Sequence, residues 1–287
     1  MSWLAVALWG GAVGLDATSF PQVMISRPIV AAAVTGLLLG EPLAGIGVGV
    51  ILELFALVIL PIGAARYPEA GPAAVAAAAA YAGTAGGESR PELLLLAVGF
   101  GLVWEHLSGS SVNALRRLNE RLVTTGSDSG PLTAGRLERI QYLALAADFL
   151  RGSIMSVAGA AIAFLLLRAV GGYWALGTEP ATGALGVAGA ARLRPRGAMR
   201  SAGPPRGVRR LHSGTRLSML LRSFAIQGSW NYRTLIGHGF AFALLPALRA
   251  IHRGDPEGLR EAIGRHAQLF NGHPYLAPMA LGAVAGL

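Results

Sequence analysis

Glu53 stands near the middle of the apolar run Gly45–Ile62, with about eight apolar or glycine residues on either side. A carboxylate at membrane depth costs roughly 2.5–3.5 kcal/mol on insertion scales, so it must face a partner or a polar cavity. Arg27, in Ile25-Ser26-Arg27-Pro28 just before an earlier apolar run, is the natural partner, and Asp16 and Gln22 bracket the turn that precedes it. Two chemistries fit this set. One is a structural ion pair pinning two helices. The other is a mid-membrane polar site for a hydroxyl-rich solute, since carboxylates, amides and guanidinium supply the acceptors and donors that sugar hydroxyls need.

The second half of the chain carries two polar-aromatic clusters, Gln227-Gly228-Ser229-Trp230-Asn231-Tyr232 and Phe270-Asn271-Gly272-His273-Pro274-Tyr275. Amide, hydroxyl and indole side by side suit sugar binding, with the ring covering a C–H face; Trp and Tyr equally serve as anchors at a membrane interface. Gln227, Trp230, Asn231, Asn271 and His273 are the candidates there. His266 and His273 have no third ligand at metal spacing, which argues against zinc. The sequence has no Ser-His-Asp set, no Walker loop and no GxGxxG, so it offers no catalytic residues of its own, and no cofactor is expected.

The elements that must position these residues are short and apolar. A first helix is expected over Met1–Leu15, followed by apolar stretches at Ile29–Leu39, Gly45–Ile62, Gly71–Gly86, Leu93–His106, Ile140–Leu150 and Ile154–Leu167. Several are shorter than the ~20 residues of a full span. Short, Gly/Pro-interrupted segments such as these, with Pro61-Ile62-Gly63-Ala64-Ala65-Arg66-Tyr67-Pro68 directly after one of them, predict an all-α polytopic membrane protein with short, broken and re-entrant helices. Ser108–Arg139 reads as a polar, arginine-bearing loop, cytoplasmic by the positive-inside rule. Further on, Arg216–Ile226 is amphipathic, Gly237–Ile251 apolar, Asp255–Leu269 helical with Asp255 as N-cap and Pro256 at the first position, and Pro274–Leu287 apolar again.

Composition supports a membrane protein: 53% hydrophobic and 14% charged residues, 40 Gly, no Cys, and a mean hydropathy of +0.52. Soluble domains carry about 25% charged residues. Charge is uneven. Residues 1–180 hold ten Arg against twelve acids, and residues 181–287 hold fourteen Arg against three. Every basic residue is arginine, which with the Ala and Gly excess points to a GC-rich bacterial genome. No nucleic-acid motif accompanies the arginines, so a nucleic-acid partner is not expected. Residues 181–212 differ in kind, an Arg/Pro/Gly-rich stretch that cannot bury a core. They read either as a basic linker on an anionic membrane surface, with lipid as its partner, or as a frame-shifted junction in a GC-rich gene.

Two ordered sets of these residues resemble partner subunits of one known family. Leu15-Asp16, Ser26-Arg27-Pro28-Ile29-Val30, Thr35-Gly36, Leu39-Gly40, Gly49, Leu52-Glu53-Leu54 and Ile62-Gly63-Ala64 resemble the IIC subunit of mannose/fructose/sorbose-family sugar phosphotransferase systems, over residues 1–180. Phe224, Gln227-Gly228-Ser229-Trp230-Asn231, Gly239-Phe240, Pro246-Ala247, His266, Phe270-Asn271 and Pro274 resemble the N-terminal part of the companion IID subunit, over 213–287. The resemblance implies a multi-pass component of the bacterial inner membrane that binds a hexose or amino sugar and passes it across. Soluble IIA and IIB proteins would phosphorylate the sugar, with the phosphohistidines on those subunits, and IIC and IID would form an oligomer. The alternative is a non-transporting fragment or fused pseudogene product, serving at most as a membrane scaffold or docking surface.

Overall fold

The protein is described here from a computed structural model, which covers residues 2–57, 68–88, 90–128, 130–171, 211–272 and 276–286. The Pro61–Tyr67 turn, most of the 181–212 stretch, and His273 to Tyr275 lie outside the described residues. Ten helices and no strand occur among those described: α1 Trp3–Thr18, α2 Pro28–Leu38, α3 Pro42–Ala56, α4 Ala70–Ala85, α5 Pro91–Asp128, α6 Ala134–Gly171, α7 Ser213–Ser223, α8 Gly237–Ile251, α9 Pro256–His266 and α10 Ala277–Gly286. The all-α fold agrees with the pattern of apolar runs. Helices α5 and α6 are long and apolar enough to cross a membrane, whereas α1, α2, α3, α8 and α10 are shorter apolar helices.

The chain divides into two compact units, Met1–Leu115 with Leu145–Ala188, and Arg116–Ala144 with Gly189–Leu287. In the first, α4 is the core. Its Ala73–Ala80 side chains are all buried, and it packs against α1, α2 and α3. A helix apolar on every side is stable only when enclosed, and alanine lets its neighbours approach closely. Glycine serves the same end elsewhere. A Cβ on Gly45 would run into the Ala32 carbonyl, and one on Gly49 would lie 3.0 Å from Ile29 Cα, so α2 and α3 meet backbone to backbone. Without a hydrophobic drive between helices in lipid, such close packing is what holds them.

Two expectations are corrected. Ser108–Arg139 is not a loop: α5 runs on to Asp128 and α6 begins at Ala134. Val112, Leu115, Asn119 and Val123 are buried at three- and four-residue spacing along α5, and Leu137, Ile140, Gln141 and Ala144 along α6. That is the one-face pattern of an amphipathic helix; the arginines occupy other positions. Likewise Ile140–Leu150 and Ile154–Leu167 form one helix, because Gly152 between them is used for contact and does not break it. A Cβ there would lie 2.9 Å from both the Gly10 carbonyl oxygen and Gly14 Cα.

In the second unit α8 is enclosed along nearly its whole length. Its Pro246 has no N–H to give the Phe242 carbonyl, and Arg222 Nη1 donates to that oxygen at 3.5 Å. Helix α9 starts as its sequence predicts, Asp255 accepting the Gly258 N–H at 2.9 Å with Pro256 at the first position.

Substitution at two glycines separates contact from conformational freedom. Gly152→Val should cost about 1–3 kcal/mol by overpacking, read as a lower thermal midpoint in detergent. Gly264→Ala, on the exposed side of α9 with open space around the new methyl, should stabilise by about 0.5–1 kcal/mol.

Candidate functional site

In the first unit the loop from Ser19 to Arg27 joins α1 to α2. Gln22 and Met24 take left-handed backbone angles (φ 61° and 69°), which non-glycine residues adopt at a cost. Asp16 offsets that cost: its buried carboxylate accepts the Val23 N–H at 2.7 Å and the Ser26 N–H at 2.9 Å. Gln22 is half-buried in this loop. At its end Arg27 pairs with Glu53 of α3, through Nε at 2.8 Å and also through Nη2, so the expected partnership is present. Glu53 Oε2 further accepts the Ile29 N–H at 3.3 Å, placing a negative charge at the N-terminus of α2, where the helix dipole favours it. The Arg27 side chain is 38% exposed and that of Glu53 16%. The pair is therefore only partly enclosed.

Sequence reasoning missed a second, enclosed cluster. Asp148 accepts from Thr18 Oγ1, Ser19 Oγ, and Arg151 Nε (3.0 Å) and Nη2 (2.9 Å). Arg151 also donates to both Glu69 oxygens, at 2.6 and 2.7 Å, and to Ser111 Oγ at 3.0 Å. Ser108 Oγ donates to Glu69 at 2.5 Å, and the Glu69 N–H donates to the Glu105 carbonyl at 2.9 Å. The signal was available: Asp148 is a charge inside the apolar run Ile140–Leu150, the same anomaly that marks Glu53, and Arg151 stands three residues on, just past its end.

In the second unit Gln227, Trp230 and Asn231 share one turn between α7 and α8. Asn231 is fully buried. Its Oδ1 accepts the Arg233 and Thr234 N–H groups, both at 2.9 Å, and its Nδ2 donates to the Ser229 carbonyl at 3.0 Å and Thr234 Oγ1 at 2.9 Å. Its amide is therefore committed to holding the turn. Trp230 is half-buried, with the Arg116 guanidinium 4.4 Å from its ring centroid and Tyr232 edge-on at 5.1 Å. Gln227 is half-buried, and its carbonyl accepts the Trp230 N–H at 3.0 Å. Asn271 is exposed and follows Phe270, whose backbone pairs with Thr234 and Ile236. A cavity of about 400 Å³ lies elsewhere in this unit, between α7 and α10, lined by apolar groups with Arg216 and Ser223 as its polar side chains. It suits an acyl chain better than a sugar.

The buried Arg151 cluster yields a sharp expectation. Arg151→Leu leaves two enclosed carboxylates without their cation and should cost about 3–5 kcal/mol, seen as loss of the monodisperse detergent-solubilised protein. Glu53→Gln, at the half-open pair, should leave that property intact.

Comparison with known proteins gives both parts a family. Residues 1–190 match the family model described as the sorbose-specific IIC component of the phosphotransferase system, and residues 210–287 match that of the mannose/fructose/sorbose family IID component. The chain is 38% identical over 69 residues to the mannose-specific EIID component of Escherichia coli K12, covering 24% of each chain. It is 31% identical over 70 residues to the fructose permease IID component of Bacillus subtilis 168, covering 24% of this chain and 25% of the relative. To the sorbose-specific EIIC component of Lacticaseibacillus casei it is 36% identical over 66 residues, 23% of this chain and 24% of the relative. The chain thus spans about a quarter of the length of the curated relatives it matches. With one family model covering residues 1–190 of 287 and a second, from a companion component, covering the remainder from 210, the chain belongs to the mannose/fructose/sorbose family of phosphotransferase-system permeases.

Proposed function

We propose that this chain is a translocation component of a sugar phosphotransferase system, multi-pass in the bacterial inner membrane, that binds a hexose or amino sugar and delivers it to soluble IIA and IIB partners. The observation that carries this reading is the Arg27–Glu53 pair, which is partly exposed where the unit's other ion cluster, around Arg151, is enclosed. A vicinal diol can accept from the guanidinium while donating to the carboxylate, so sugar hydroxyls replace water where the pair is exposed without unpairing either charge. Gln22 adds amide contacts, and Asp16 acts as a positioning residue through its hold on the loop. In the second unit Trp230 offers a ring for the C–H face of a sugar, with Gln227, Asn271 and His273 as polar candidates, and Asn231 holds the turn that carries Trp230. Phosphoryl transfer belongs to phosphohistidines on the soluble subunits. The chain's own residues do the binding, orienting and exclusion of water.

Sugar binding to the purified chain in nanodiscs, followed with radiolabelled mannose, glucose, fructose and glucosamine, tests the assignment. A hydrogen bond to a charged group contributes about 1.5–3 kcal/mol. Glu53→Gln and Arg27→Gln should therefore each weaken binding of the preferred sugar about ten- to a hundred-fold, with the thermal midpoint of the unliganded protein little changed. Equal binding in the variants would remove Glu53 from the site. Absence of binding by the unaltered chain would favour the other reading, a membrane scaffold or docking surface without transport.

A further inference from the structure

The second compact unit contains residues from both component types. Arg116–Ala144, within the stretch that matches the IIC model, packs with the stretch that matches the IID model. The contacts are specific. Asn119 Nδ2 donates to the Gly228 and Trp230 carbonyls, at 3.3 and 3.1 Å. Gln141 Nε2 donates to the Ala225 carbonyl while its Oε1 accepts from Ser229 Oγ at 2.6 Å. Glu138 accepts from Arg222 Nη2 at 2.8 Å and from Arg249 Nη2 at 3.0 Å. The Arg116 guanidinium lies over the Trp230 ring, and Tyr142 meets Phe242 edge-on with centroids 5.7 Å apart.

We propose that the hairpin formed by the end of α5 and the start of α6 is the docking surface of the IIC-type part for the N-terminal segment of a IID component, and that in this chain it is occupied in cis. Three of its hydrogen bonds go to main-chain carbonyls between Ala225 and Trp230. The buried amides of Asn119 and Gln141 therefore read the shape of the turn after α7, which any IID segment with that turn presents. Glu138 adds charge selection, because both of its partners are arginines of the IID-type part. Enclosed amides left without these carbonyls are costly, so the surface stays covered by one segment or another. A complete IID component can dock only where the chain's own segment has left. The inference goes beyond sugar handling and stands whether or not the chain binds a sugar.

The test uses the full chain with a protease site replacing residues 196–201, purified in mild detergent. After cutting, the IID-type piece should remain with the rest on size exclusion. An epitope-tagged complete IID component should exchange into the cut protein but not bind the uncut one. Glu138→Arg should release the cut piece at least ten-fold faster, and adding Arg249→Glu, which leaves Arg222 to its contacts with Phe242, should recover part of the retention, which a general folding defect would not allow. Immediate separation of the cut pieces, retention unaffected by Glu138→Arg, failure of the charge-swapped protein to regain any retention, or equal capture of the tagged component by uncut chain would each overturn the proposal.

Discussion

Arg151 is where the first unit's elements are obliged to meet. Its side chain is 9% exposed, and it bridges Asp148 on its own helix and Glu69 just ahead of α4. Two carboxylates around one guanidinium leave acceptor capacity over, and hydroxyls of Thr18, Ser19 and Ser108 use it. Enclosed ions without partners cost several kcal/mol each, so the last turn of α1, the entry to α4, and the middle stretches of α5 and α6 must all be in place together. The loop bearing Gln22 and Arg27 leaves directly from Thr18 and Ser19. The half-open Arg27–Glu53 pair inherits its position from an ion cluster it does not touch.

Much of this was legible in the chain itself. The α9 cap could be read from Asp255 and Pro256, and the Arg27–Glu53 partnership from a charge too deep to stand alone. The same argument applied to Asp148 and Arg151 would have exposed the second cluster; Glu69, outside any apolar run, gives no such sign. What stayed hidden was the length of α5 and α6. Arginines spaced through 108–139 look like a solvated loop until Val112, Leu115, Asn119 and Val123 are seen to share a face. Asn119 and Gln141 weaken that face to the eye, because their burial is justified by carbonyls about a hundred residues away. Asn231 misleads for a related reason. Amides suit sugars and turns equally, and the choice depends on how residues 229–236 close on themselves, through an Asn231–Leu235 bridge with Leu235 at φ 54°.

The division in space crosses the division in family. The stretch matching one component contributes its helical hairpin to the compact unit of the other, and buried polar side chains take part in that contact. Buried amides and a shared carboxylate give orientation: an apolar face tolerates sliding, whereas a carbonyl facing an amide does not.

Arg222 brings together three demands usually met by separate groups. It supplies a donor to the carbonyl orphaned by Pro246, lies 4.6 Å from the Phe242 ring centroid, and pairs with Glu138. Only a flat, forked cation can stack on a ring while its edge reaches two oxygens; a compact ammonium satisfies one of these at a time. A chain without a single lysine invites explanation by codon usage. At this position the choice is stereochemical, and a lysine-rich relative keeping the same proline break would be expected to spend one of its few arginines here.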